Sequence, residues 1–182
     1  MLTKSQVETA KKKALEYYAK ANIFLTAKEK ANIEVADFGL SRLDEMGLEI
    51  VTYVNTERCC AKELVMFPWQ ICPEHRHPPI SASNMGKEET FRVRYGTVYF
   101  YTEGEPVKKP KGKIPADKKE SFTVWNEVVL NQGEQYTLPT NTKHWFQGGK
   151  DGAVVSEFST KSIDEKDIFT DPEVARIPVI NE

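Results

Sequence analysis

Two histidines one residue apart, His75 and His77, precede two adjacent glutamates, Glu88 and Glu89, and a third histidine, His144, follows far downstream. The chain has 3 histidines in all. Each lies in one of two segments, residues 74–96 (EHRHPPISASNMGKEETFRVRYG) and 133–146 (GEQYTLPTNTKHWF). Three imidazoles and one carboxylate form a donor set suited to a divalent cation. In an extended strand alternate side chains share a face, so His75 and His77 project to the same side and can hold one ion. Glu89 shares parity with Phe91, Val93 and Tyr95, whereas Glu88 goes with Arg92 and Arg94. That parity favours Glu89 as the fourth ligand, and a bulge would pass the role to Glu88.

Four protein donors leave about two positions of a six-coordinate ion open to substrate oxygens. The donor set does not separate Mn2+ from Co2+, Fe2+, Ni2+ or Zn2+, and zinc with four protein ligands would make a closed structural site. Open neighbouring positions fit a reactant that chelates through a carbonyl and an adjacent hydroxyl. Such an ion polarises the carbonyl, and a base within about 3 Å of the neighbouring carbon would remove its proton. Glu157 is the candidate base: in AVVSEFS it alternates with Val155 and Ser159, so a strand lining a barrel would point it inward. Lys62 is the second candidate, sharing parity with Leu64 and Met66, and its ammonium could hold a substrate oxygen. Solvated, outward positions explain the same letters in both cases. Trp69, Trp145 and Phe146 flank the motifs as core residues or as platforms for a ligand's C–H faces, and Tyr95, Tyr99 and Tyr101 are candidate hydroxyl donors.

These side chains need strands to carry them. The N-terminal part reads as helix: Ser5 with Glu8 fits a capping box, and Val7, Ala10, Ala14, Leu15, Tyr18 and Ala21 recur at helical spacing, giving a helix over about residues 5–21. Thr26 with Glu29 caps a shorter helix, and SRLDEMG suggests a third that ends near Gly47. From Leu48 the pattern turns to short β-rich runs: LEIVTYV, KELVMFPWQI, ETFRVRY, TVYFYT, SFTVWN, EQYTLP and AVVSEFS. With Gly, Pro and Asn turns between them, these predict a mainly β fold, an antiparallel β-barrel or jelly roll. The expected layout is a single domain over 1–182, with a helical subdomain at 1–47 packed on a barrel and C-terminal tail at 48–182. The lysine-rich stretch 106–119 reads as a solvated loop in preference to a phosphate lid. In the tail, Val174, Ile177, Val179 and Ile180 are placed to pack on the barrel or on a partner subunit.

The two segments resemble the paired motifs of the cupin superfamily. Residues 90–95 separate Glu89 from Gly96, as in the first motif, and Gly133, Pro139 and His144 match the second. The gap between His77 and the glutamates is much longer than usual, so the insertion PPISASNMGK must loop outward. The helical N-terminus, the WQICPEHRHPP run, KEETFRVRYGTVYFY and LPTNTKHWFQGG together are similar to the small D-lyxose isomerases of that superfamily. The resemblance implies a manganese-dependent aldose–ketose isomerase interconverting D-lyxose and D-xylulose, with D-mannose and D-fructose as related substrates, and a homodimer. An enediol route is preferred to a hydride shift. A cupin dioxygenase and a non-catalytic sugar-binding cupin are the competing readings.

Composition agrees with a small neutral ligand. The chain has 182 residues, 40% hydrophobic and 29% charged, with a net charge of −2. That balance gives no electrostatic reason to expect nucleic acid or a membrane surface as partner. The N-terminal residues lack the apolar block of a secretory signal, and a cytoplasmic location is expected. Cys59, Cys60 and Cys72 show no paired metal-site spacing and read as apolar fillers.

Overall fold

The computed structural model describes residues 2–177 and 179–181. A short strand β1 (Leu2–Thr3) leads into helix α1 (Lys4–Lys20). The capping box is Thr3 with Gln6, not Ser5 with Glu8: the Thr3 hydroxyl accepts from Gln6 N, and the Gln6 side chain accepts from Thr3 N. Leu2 and Val7 occupy the flanking staple positions and bury in one apolar cluster, which fixes this start over the alternative. Helix α2 (Ala27–Ala31) carries the Thr26–Glu29 box as the sequence predicts.

The third helix does not form. Residues 37–47 run as turns in which the Asp37 carboxylate accepts from Gly39 N and Ser41 N. Phe38, Gly39 and Ser41 all have positive φ, so these local bonds replace helical ones. Before them a strand that the sequence reading lacked, β2 (Glu34–Ala36), pairs with β3 (Leu48–Asn55).

Then follow β4 (Cys60–Met66), β5 (Ile71–Arg76), β6 (Glu89–Thr102), β7 (Asn126–Asn131), β8 (Gln135–Leu138), β9 (His144–Ser159), β10 (Ile168–Phe169) and β11 (Ile180–Asn181), the last parallel to β1. The long antiparallel pair β6 and β9 is the spine, and β4, β5, β7 and β8 add along it. Both spine strands run through positions expected to be turns. Gly96 and Gly152, each at φ +74, let the backbones meet: a Cβ on Gly96 would lie 2.1 Å from Gly152 O. The motif glycine is therefore required by backbone approach.

Inward side chains of the curled sheet, among them Leu48, Ile50, Leu64, Met66, Phe91, Val93, Phe146 and Val155, fill the barrel. On the outer face, Val7, Ala10, Ala14, Tyr17 and Tyr18 of α1 cover Val51, Val65 and Val154. A bulge between Val93 and Tyr95 breaks the expected parity, and Tyr95 packs on this outer cluster. Cys60 and Cys72 are buried fillers, whereas Cys59 is exposed.

Also beneath α1 lies Glu49, fully buried, with its Oε2 unpaired and Gln70 Nε2 3.4 Å from Oε1. Burial pushes this carboxyl well above the ordinary carboxylate range. A raised folded-state value means that stability is fully present below about 4.5 and is lost as pH rises from there toward the raised value, by at most about 1.4 kcal/mol per pH unit. Glu49→Gln should therefore raise the melting temperature at neutral pH, with the gain vanishing near pH 4, measured by thermal denaturation across pH.

Candidate metal centre

Strand β5 pairs with β9 so that His75 lies directly opposite His144, and β10 places Phe169 opposite His75 on the other side. A bulge between Cys72 and His75 resets the parity of β5 and turns His75 inward. Glu74, on the reverse face, anchors the strand: its carboxylate accepts from Thr123 N, Val124 N and the hydroxyls of Thr123 and Thr170. His77 follows just beyond the strand end.

The three imidazoles converge. His75, His77 and His144 are buried, and one ligating nitrogen of each lies within 4.8 Å of the others. Each turns Nδ1 away from the cluster and donates it: His75 to Pro73 O (2.8 Å), His144 to Thr142 O (2.9 Å), His77 to Asp167 Oδ1 (2.5 Å). Carbonyl and carboxylate oxygens can only accept, so Nδ1 carries a proton and Nε2 is the nitrogen left facing inward.

Glu89 joins them, and Glu88 is exposed. Glu89 Oε2 lies 3.1 Å from His77 Nε2 and 3.4 Å from His144 Nε2. Despite that proximity both nitrogens are buried without a hydrogen bond, an arrangement that costs free energy unless something else satisfies them. Separations of 3.1 and 3.4 Å are those expected of donors that share one cation through bonds of about 2.1 Å. Electrostatics point the same way. Burial lowers His144 to about 4 and holds His75 well below its ordinary value, so both are neutral ligands. At His77 burial is outweighed by Glu89 and Asp167, which raise it to about 9: the centre favours one positive charge. These residues fit a divalent cation.

Beside the cluster is a small cavity of about 40 Å3, lined by His75, His77, Glu89 and residues of the barrel wall. A larger groove between α1 and the turn at residues 41–45 is open and contains none of the histidines. Glu157 lines the inner cavity. It faces inward because β9 sets it opposite both Lys62 on β4 and Phe91 on β6, a barrel-core residue. Lys62 lines the same cavity, but its Nζ is held by Ser162 Oγ (3.0 Å) and Asp164 (3.1 Å). Of the flanking aromatics only Phe146 reaches it. Trp145 is fully buried against Tyr101, and the Tyr101 hydroxyl is engaged with Glu127. No lysine of residues 106–119 lines the cavity, and Lys113 covers the Trp69 ring instead.

Sequence reasoning missed Lys87. Its Nζ is buried 2.6 Å from Glu89 Oε1 and 2.7 Å from Glu157 Oε1, joining the proposed ligand to the proposed base. These two carboxylates outweigh the burial cost and hold the ammonium well above its ordinary value. The long insertion delivers it: the chain turns back at Gly86, φ +97, where a Cβ would sit 2.3 Å from His77 O. Asp164, Asp167, Phe169 and Arg176, all from the segment after β9, complete the wall.

A curled antiparallel sheet with three histidines and a glutamate gathered inside its barrel places this chain in the cupin class. Within that class, the D-lyxose isomerase family matches residues 13–182. The chain is 63% identical to a D-lyxose ketol-isomerase of a Thermofilum species over 99% of both chains. It is 57% identical to a D-lyxose/D-mannose isomerase of Thermosediminibacter oceani over the full length of both. An L-ribose isomerase of an Acinetobacter species, solved with L-ribose, shares the fold at a TM-score of 0.83 and 15% identity, covering 99% of this chain and 98% of that one. This chain belongs to the D-lyxose isomerase family.

Proposed function

We propose that the chain, as one domain, interconverts D-lyxose and D-xylulose, with D-mannose and D-fructose as secondary substrates, on Mn2+ held by His75, His77, Glu89 and His144. The observation that carries this reading is the pair of buried, unbonded Nε2 atoms beside Glu89, next to a cavity into which Glu157 projects. A divalent ion there supplies electrophilic polarisation of the substrate carbonyl.

The chain's own groups do the rest. Glu157 takes the proton from C2; that C–H electron pair becomes the C1=C2 bond of an enediolate as the C1 oxygen gains the C2 hydroxyl proton and the C2 oxygen keeps the negative charge. Glu157 then returns its proton to C1 while the C2 oxygen becomes the ketone. Lys87 fixes the Glu157 carboxylate by its ion pair. Lys62 offers a donor to a sugar hydroxyl. Apolar walls from Phe146 and Phe169 exclude water from the intermediate.

We place the working form as a homodimer in the cytoplasm; among the described residues no helix is long and apolar enough to cross a membrane. The test is isomerisation of D-lyxose in D2O, with the product read by NMR. Deuterium at C1 of D-xylulose is expected from proton transfer. Turnover with complete retention of the original hydrogen would assign a hydride shift instead, and no xylulose would remove the activity.

A further inference from the structure

The three histidines differ in what holds them. His75 and His144 give Nδ1 to carbonyls of their own neighbourhood, Pro73 and Thr142, two residues away in each case. His77 gives Nδ1 to a carboxylate 90 residues on, Asp167, at 2.5 Å. The Asp167 side chain is 8% exposed. It sits where the segment after β9 folds back across the barrel, immediately before β10 clips to β5 through Ile168–Arg76 and Phe169–His75. The same stretch contributes Asp164 and Phe169 to the cavity wall. Thr170 Oγ donates to Glu74 and Asp171 pairs with Lys118 Nζ, contacts that fasten it further.

A carboxylate accepting from the outer nitrogen fixes a ligand's tautomer and ring orientation and raises its basicity. We propose that Asp167 is a positioning residue of the metal centre, and that it makes ion retention and docking of the C-terminal segment one coupled equilibrium. This rests on the reading of the cluster as a metal centre. The segment carries Asp167 to His77 only when docked, so the docked form binds the ion more tightly. By linkage the ion must strengthen docking by the same factor.

The experiment is calorimetric titration of metal-free wild type, Asp167→Asn and Asp167→Ala with Mn2+, together with hydrogen exchange of residues 160–171 with and without Mn2+. Loss of such an outer partner lowers metal affinity by about 10- to 100-fold. Asn, which keeps the shape and one acceptor, should fall at the lower end, and Ala at the upper. Mn2+ should slow exchange of residues 160–171 in wild type and do so less in either variant. If Asp167→Ala does not fold, the Asn variant carries the comparison. Equal affinities and equal protection in wild type and variants overturn the inference while leaving the metal centre standing. Failure of wild type to bind Mn2+ overturns both.

Discussion

Replacing Glu157 by glutamine should lower kcat/KM for D-lyxose by about 10²- to 10⁴-fold, the range that a positioned general base contributes. The substitution preserves size and removes only the proton-accepting charge. Glu157 is 4% exposed, fixed by Lys87 at 2.7 Å and approached by Ser159 Oγ at 3.3 Å, so an amide can occupy the same space. Among the described residues no hydrogen bond or ion pair joins it to the three histidines. Metal stoichiometry should therefore stay at the wild-type value while turnover collapses, measured by elemental analysis beside the kinetic assay. Full activity in Glu157→Gln would remove this residue from the mechanism. Parallel loss of metal and activity would recast it as a support of the centre.

Lys87→Met should cost both stability and activity. Lys87 is the only cation reaching both Glu89 and Glu157 among the described ion pairs, and its removal leaves the buried Glu157 carboxylate without a charged partner there. Breaking a buried pair by deleting one partner costs about 3–5 kcal/mol because the remaining charge is uncompensated. Methionine keeps most of the volume, so packing loss adds little. Urea denaturation of wild type and variant would measure the difference. Turnover should fall as well, since Glu157 loses the contact that orients it. A variant as stable as wild type would mean that the three groups are not a charge-balanced unit.

The segments of the proposed metal centre were legible because their information is local. Two residues of spacing put His75 and His77 on one side, and the alternation of Glu89, Phe91 and Val93 favoured Glu89 over Glu88 while leaving the choice open to a bulge. The same alternation, carried one step back, would have found Lys87, which shares parity with Glu89 and Phe91. A lysine at a strand entrance reads as exposed, and only the ion pairs reverse that expectation. Glu157 faces inward for a reason no single strand contains: its register against Lys62 and Phe91 depends on three strands that meet only in the fold.

Elsewhere a few backbone features defeated periodicity. The bulge before Tyr95 moved that residue to the outer face, and Asp37 captured the amides that a third helix would have used. Asp164, Asp167 and Arg176 carried no signal, because the segment holding them is irregular and is placed by ion pairs. Arg176 bonds Glu34 and Asp164, and Asp164 bonds Lys62. The long gap after His77 looked like a departure from the motif, yet it is the stretch that brings Lys87 into the site.

The most direct test of the central claim is an anaerobic assay of metal-stripped protein with D-lyxose, restoring Mn2+ and following D-xylulose. Xylulose formation that requires added Mn2+ and proceeds without oxygen is the expected result. Turnover at the full rate by thoroughly stripped protein, or none after stoichiometric Mn2+ has bound, would contradict it.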